Sequence, residues 1–303
     1  MNLGNPRPDT AERKAALEFN RLIEQSSLGA EGAKLLRERP EQPDVGAAAS
    51  TSPATIPPEL ADRFRLVREL PAGGESDMLV VTDATGTELV LKLYRAGILP
   101  SPDTWAVLHT IDSPHVTRLV DWGDAGGRAF EVMEYVGIDT LCDLIEDTSR
   151  DNLGFDTIAE IVRQIAAGLN ALHGARVIHR DLKPTNILVR SWSPLELALA
   201  DFGLSRYLEN ATVFSAAGHT IAYTAPETFA GHVSPARDWW SLGMIVREMA
   251  TGEPPFRGLS TEVVMLTLAS RAIDCLKVAD PRLRLLCRGL LTRNPTALNF
   301  PEF

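Results

Sequence analysis

One short run limits this chain more than any other feature: His179-Arg180-Asp181-Leu182-Lys183-Pro184-Thr185-Asn186, followed fifteen residues after Asn186 by Asp201-Phe202-Gly203. Asp181 and Asn186 stand five apart in a loop-forming sequence, so a carboxylate and an amide oxygen can converge on one point. Asp201, placed after the apolar run Leu195–Ala200, adds a second carboxylate at the end of a strand. Asn186 and Asp201 are hard oxygen donors of the kind that hold Mg²⁺, and beside them stand a separate aspartate and a lysine point charge. Those are the parts that phosphoryl transfer requires. Eight ordered positions with a properly spaced Asp-Phe-Gly do not assemble by chance.

Composition bounds the rest. The 303 residues are enough for one two-lobed domain with a tail, or for two ordinary domains. Hydrophobic residues make up 45 % and charged residues 23 %, which excludes a wholly disordered chain. No apolar run approaches the ~20 residues of a membrane helix, and the N-terminus lacks an apolar signal core, so a cytoplasmic protein is the expectation. The net charge of −10 argues against nucleic acid or an anionic membrane as partner. Cys142, Cys275 and Cys287 show no CxxC spacing and are expected to be free, buried thiols. Only five of the 30 basic residues are lysine, so Lys92 and Lys183 stand out.

Along the chain, residues 1–60 read as a helical appendage over Thr10–Arg39 and a Pro/Ala/Ser-rich linker over Pro40–Pro58. Strand-like runs are expected at Arg63–Leu70, Met78–Thr82, Glu88–Tyr94, Val116–Asp121 and Ala129–Val136, with one helix over Ser101–Ile111. A further short strand-like run, Arg176–Ile178, precedes the His179 motif. Asp156–His173 carries a 3.6-period apolar face closed by Gly174, and the second half is mostly helical. The fold class is therefore α+β, a small β-rich lobe of residues 61–134 joined to a larger helical lobe of 137–303.

With these residues in place, the chain resembles a eukaryotic-type protein kinase domain, of the bacterial Ser/Thr kind, over about residues 63 to 300. Ala225-Pro226-Glu227, Asp238-Trp239-Trp240-Ser241-Leu242-Gly243 and Glu253-Pro254-Pro255-Phe256 belong to the same likeness. The resemblance implies a two-lobed fold, ATP and Mg²⁺, and transfer to protein Ser/Thr hydroxyls. It implies Asp181 as the residue that orients the substrate hydroxyl and Lys183 as the charge on the transferring phosphoryl. Asn186 and Asp201 hold Mg²⁺, and Lys92 grips the phosphates. Met133, Glu134 and Val136 form the connection between the lobes, with Val90 above the adenine and Leu188 below. Asp238 supports the Asp181 loop, and Phe202, Gly203 and Glu227 frame the segment between. Arg180 can pair with a phosphate on that segment, where Thr212, Ser215 and Thr220 are acceptors; self-association for autophosphorylation follows as a partner.

Three departures accompany the likeness. The family's glycine-rich loop is reduced to Gly73 and Gly74 in Pro71-Ala72-Gly73-Gly74-Glu75-Ser76. Between Lys92 and Glu131 there is no glutamate to serve as the helix carboxylate, which leaves Asp103 as a candidate partner for Lys92 and as an ordinary helix N-terminal residue. The arginine that pairs with the Ala-Pro-Glu glutamate is replaced by Leu298, so Glu227 is partnered otherwise or the chain is a piece of a longer protein. A pseudokinase serving as a nucleotide-binding regulatory module, and a small-molecule phosphotransferase, are the rival readings.

Overall fold

The computed structural model describes residues 55–71, 76–98, 100–147, 153–201, 221–231 and 234–293. The appendage expected within 1–54 lies outside them. Pro58–Leu60 form a 3₁₀ turn whose Leu60 is 3 % exposed, so packing begins a few residues before the boundary drawn at residue 60.

A five-stranded antiparallel sheet forms the small lobe: β1 (Arg65–Glu69), β2 (Ser76–Thr82), β3 (Glu88–Tyr94), β4 (Leu119–Ala125) and β5 (Arg128–Glu134), in spatial order β1-β2-β3-β5-β4. The crossing from β3 passes through α1 (Pro102–Leu108), shorter than expected and anchored by buried Trp105 and Leu108. β4 starts later than the apolar pattern implies, because Val116 makes only an isolated bridge to Leu199.

β3 is buried on both faces after Glu88, which explains its near-continuous apolar run. Strand alternation sorts its side chains. Leu89, Leu91 and Leu93 join Leu60, Phe64, Phe130 and Val132 in an outer cluster. Val90 and Tyr94 join Trp105, Ala129 and Met133 in an inner cluster that continues into the helical lobe. Lys92 lies between Val90 and Tyr94 in that alternation, and so sits on the inner face.

The helical lobe contains α2 (Leu141–Glu146), α3 (Phe155–Gly174), the hairpin β6 (Ile187–Trp192) with β7 (Leu195–Leu199), α4 (Ala236–Thr251), α5 (Thr261–Ser270) and α6 (Pro281–Leu290). Thr140 and Asp143 form a capping box that starts α2. α3 buries Ile158, Ile161, Val162, Ile165, Leu169 and Leu172 against β7 and α4. α4 is the most enclosed helix, with Trp240 through Val246 all buried.

Two local expectations fail. Arg176–Ile178 is not a strand: Val177 N–H bonds Leu172 O at 2.9 Å, so this apolar run winds onto the end of α3. Cys275 and Cys287 are buried and free as expected, whereas Cys142 on α2 is half-buried.

Candidate active site

The Asp181 loop is held from below. Asp238, in the first turn of α4 and fully buried, accepts the N–H groups of His179 and Arg180, each at 2.8 Å, and lies 2.7 Å from His173 Nε2. Burial works against its charge, but His173 and the two amides outweigh it and keep the carboxyl below the usual range. Arg180 adopts φ 71°, a left-handed conformation that a non-glycine residue keeps only when its surroundings fix it.

Within the loop three polar side chains meet. Lys183 Nζ donates to Asp181 Oδ2 at 2.8 Å. Asn186 is 7 % exposed, and its amide N donates to Asp181 O at 2.8 Å and to Asp181 Oδ2 at 3.1 Å. With the nitrogen committed to Asp181, the amide oxygen of Asn186 is the end left for a cation.

Across from them, Lys92 reaches out of β3 to an ion pair with Asp201 Oδ1. Asp201 follows β7 directly and takes φ 64°. Its side chain is 48 % exposed, open to solvent yet crowded on its protein side. That desolvation opposes its charge, while the Lys92 ammonium more than compensates and lowers its pKa. Ala200 N–H bonds Asn186 O at 2.9 Å, which fixes the spacing between the two candidate metal ligands.

Above the loop, Val90 and Met133 are direct register partners, 8 % and 7 % exposed, on the inner face of the sheet. Leu188, half-buried on β6, bridges to Thr140. Among the described residues, the backbone N–H and C=O of Val136 make no hydrogen bond. The Glu134 side chain is spent elsewhere: it takes both terminal nitrogens of Arg190, at 3.0 and 2.8 Å, and the N–H of Arg118 at 2.8 Å.

Asp103 is a correction. It stands exposed in the first turn of α1 and makes no ion pair with Lys92 among the described residues. Its short side chain points into solvent, where the helix N-terminus suits it. Sequence reasoning also passed over Glu131, 3 % exposed on β5 and the direct register partner of Lys92. The signal was present as a glutamate inside Ala129-Phe130-Glu131-Val132-Met133. The Glu227 backbone oxygen accepts the Gly231 N–H, and its side chain makes no hydrogen bond or ion pair among the described residues. Gly73, Gly74, Phe202, Gly203, Thr212, Ser215 and Thr220 lie outside the described residues.

The likeness to known proteins is broad. The protein kinase domain family matches residues 102–297. The chain is similar to the serine/threonine-protein kinase ATG1a of Arabidopsis thaliana, 35 % identical over 65 % of this chain and 33 % of the relative. It is 30 % identical to the serine/threonine-protein kinase PknB of Mycobacterium leprae, over 67 % of this chain and 35 % of that one. This chain thus spans about a third of the length of these two relatives. A crystal structure of Rad53 1-466 in complex with AMP-PNP superposes with a TM-score of 0.67 at 24 % identity, over 78 % of this chain and 62 % of that one.

Proposed function

The chain belongs to the protein kinase family, and from that premise we propose that it transfers the γ-phosphoryl of Mg²⁺–ATP to serine and threonine hydroxyls of proteins. The observation that carries the reading is the set of contacts that join the candidate site residues: Lys92 pairs with Asp201, Lys183 and Asn186 both reach Asp181, and Ala200 beside Asp201 bonds Asn186.

The donor chemistry fits Mg²⁺. A carboxylate and an amide oxygen form a partial, all-oxygen site, suited to an ion that keeps water and phosphate oxygens as its other ligands. Asn186 and Asp201 would hold it, and its chemistry there is neutralisation of phosphate charge. Lys92 binds the non-transferred phosphates. Asp181 accepts a hydrogen bond from the substrate hydroxyl and aims its oxygen. Lys183, tethered to Asp181, presents its charge where the transferred group develops negative charge. The adenine docks between Val90 and Leu188, against the backbone of Val136. Catalysis in this arrangement is positioning and charge stabilisation, with no covalent protein intermediate.

Phosphorylation of the segment after Asp201, read by Arg180, regulates the site. Among the described residues no helix is long and apolar enough to cross a membrane, and cytoplasmic operation fits the charge balance.

The test is incubation with labelled Mg²⁺–ATP, with and without a generic protein substrate, beside Asp181→Ala and Lys92→Met. Label on Ser/Thr that disappears in both variants is the expected result. Nucleotide binding without transfer under any condition would leave a pseudokinase, and label on a small metabolite alone would redirect the assignment.

A further inference from the structure

Lys92 pairs with Asp201, the same carboxylate proposed above to hold Mg²⁺. A carboxylate turned toward a divalent cation neutralises the ammonium less, and taking a counter-charge from a 3 % exposed lysine is costly. The helix α1 offers no replacement, since Asp103 is exposed and no glutamate lies between Lys92 and Glu131.

Glu131 remains. It is buried on the inner face of β5, in direct register with Lys92 on the neighbouring strand. Directly opposed residues of an antiparallel pair place their Cβ atoms about 4.5–5.5 Å apart on the same face. Tyr94, two residues beyond Lys92 on that face, donates its hydroxyl to Glu131 Oε1 at 2.7 Å, and Lys92 Nζ lies 5.0 Å from its ring centroid. Trp105 of α1 donates its indole N–H to the same oxygen. Both donors are neutral and both converge on Oε1.

We propose that Glu131 is the positioning carboxylate for Lys92 in the nucleotide-bound protein. Lys92 exchanges Asp201 for Glu131 Oε2 when Asp201 turns to the metal, and Trp105 couples that exchange to the position of α1. The inference rests on the nucleotide-binding reading given above. It explains why α1 can lack a glutamate: the carboxylate is supplied by the strand beside Lys92, and the helix contributes an indole that steadies it.

Glu131→Gln tests this, because the amide keeps an acceptor oxygen for Tyr94 and Trp105 and removes only the charge. Affinity for ATP is measured with Mg²⁺ and in EDTA, together with KM, kcat and the thermal unfolding midpoint. Losing a charge-assisted contact is expected to weaken Mg²⁺–ATP binding and raise KM about tenfold, with a smaller change in kcat. In EDTA, where Asp201 still serves Lys92, the variant should bind as the wild type does. On a Lys92→Met background the substitution should add no further loss. Glu131→Asp, which keeps the charge, should recover part of the affinity, and Trp105→Phe should weaken it in the same direction. If Glu131→Gln fails to fold, these last two variants carry the same comparison. Unchanged Mg²⁺–ATP affinity, equal losses with and without metal, or additive losses on Lys92→Met each overturn the proposal. A wild type that binds nucleotide without transfer, yet weakens in Glu131→Gln, removes the transferase reading and keeps this one; a wild type that binds no nucleotide removes both.

Discussion

Glu134 at the end of β5 grips the guanidinium of Arg190 on β6 through two hydrogen bonds, at 3.0 and 2.8 Å, and so ties the sheet to the helical lobe across 56 residues of sequence. Partial burial opposes the charge of Glu134, but Arg190 and the Arg118 amide overcome it and keep the carboxyl below its ordinary range. A bidentate pair at this point limits how far the two lobes can rotate apart.

Arg190→Ala should therefore loosen the connection beside Val136. A rise of several-fold in the KM for ATP is expected, with a stability loss of about 1–2 kcal/mol from the half-buried carboxylate left behind. Denaturant unfolding and steady-state kinetics check the two effects separately.

Asp238 holds two backbone amides and an imidazole in a fully buried setting. Asp238→Ala leaves all three donors without their acceptor and should cost about 3–5 kcal/mol. The Asp181 loop should lose its fixed shape as well, so hydrogen exchange at the His179 and Arg180 amides should speed up well beyond that of α3.

Glu248, 4 % exposed on α4, accepts the Tyr223 hydroxyl at 2.6 Å. Burial pushes its pKa up to about 7 from 4.5, the Tyr223 bond works the other way, and Glu146 adds to the rise. The folded state thus holds this proton more tightly than the unfolded chain does. Stability from this group is full below pH 4.5 and declines as pH rises toward 7, by up to about 3 kcal/mol. Glu248→Gln should gain on the wild type as pH is raised to 8 and lose that advantage near pH 4.5, a comparison that denaturant midpoints supply.

Gly168 on α3 leaves no room for a side chain. A Cβ there would meet His115 O at 2.6 Å and Leu199 Cδ1 at 2.9 Å. Gly168→Ala should cost about 2 kcal/mol by prising α3 from β7, read as a lower thermal midpoint.

The candidate site residues were legible because their order in the chain is itself the constraint: Asp181, Lys183, Asn186 and Asp201 sit in two short runs separated by one hairpin. Most strands were legible as β-branched or leucine-rich runs between turn-forming segments. Glu131 was not, since its meaning depends on the register between β3 and β5, and no local pattern encodes which residue lies opposite Lys92. The Arg190 grip on Glu134 is hidden for the same reason, as a contact between lobes rather than along an element. The apolar run at Val177 misled in the opposite direction, because burial against a helix end and burial in a sheet look alike in sequence.

Leu60 and Phe64 pack with Leu89, Leu91 and Leu93, on the side of the sheet opposite Lys92. The turn at Pro58–Leu60 therefore braces the face of the sheet that looks away from Lys92, so a load on this turn reaches Lys92 through the strands and not by direct contact.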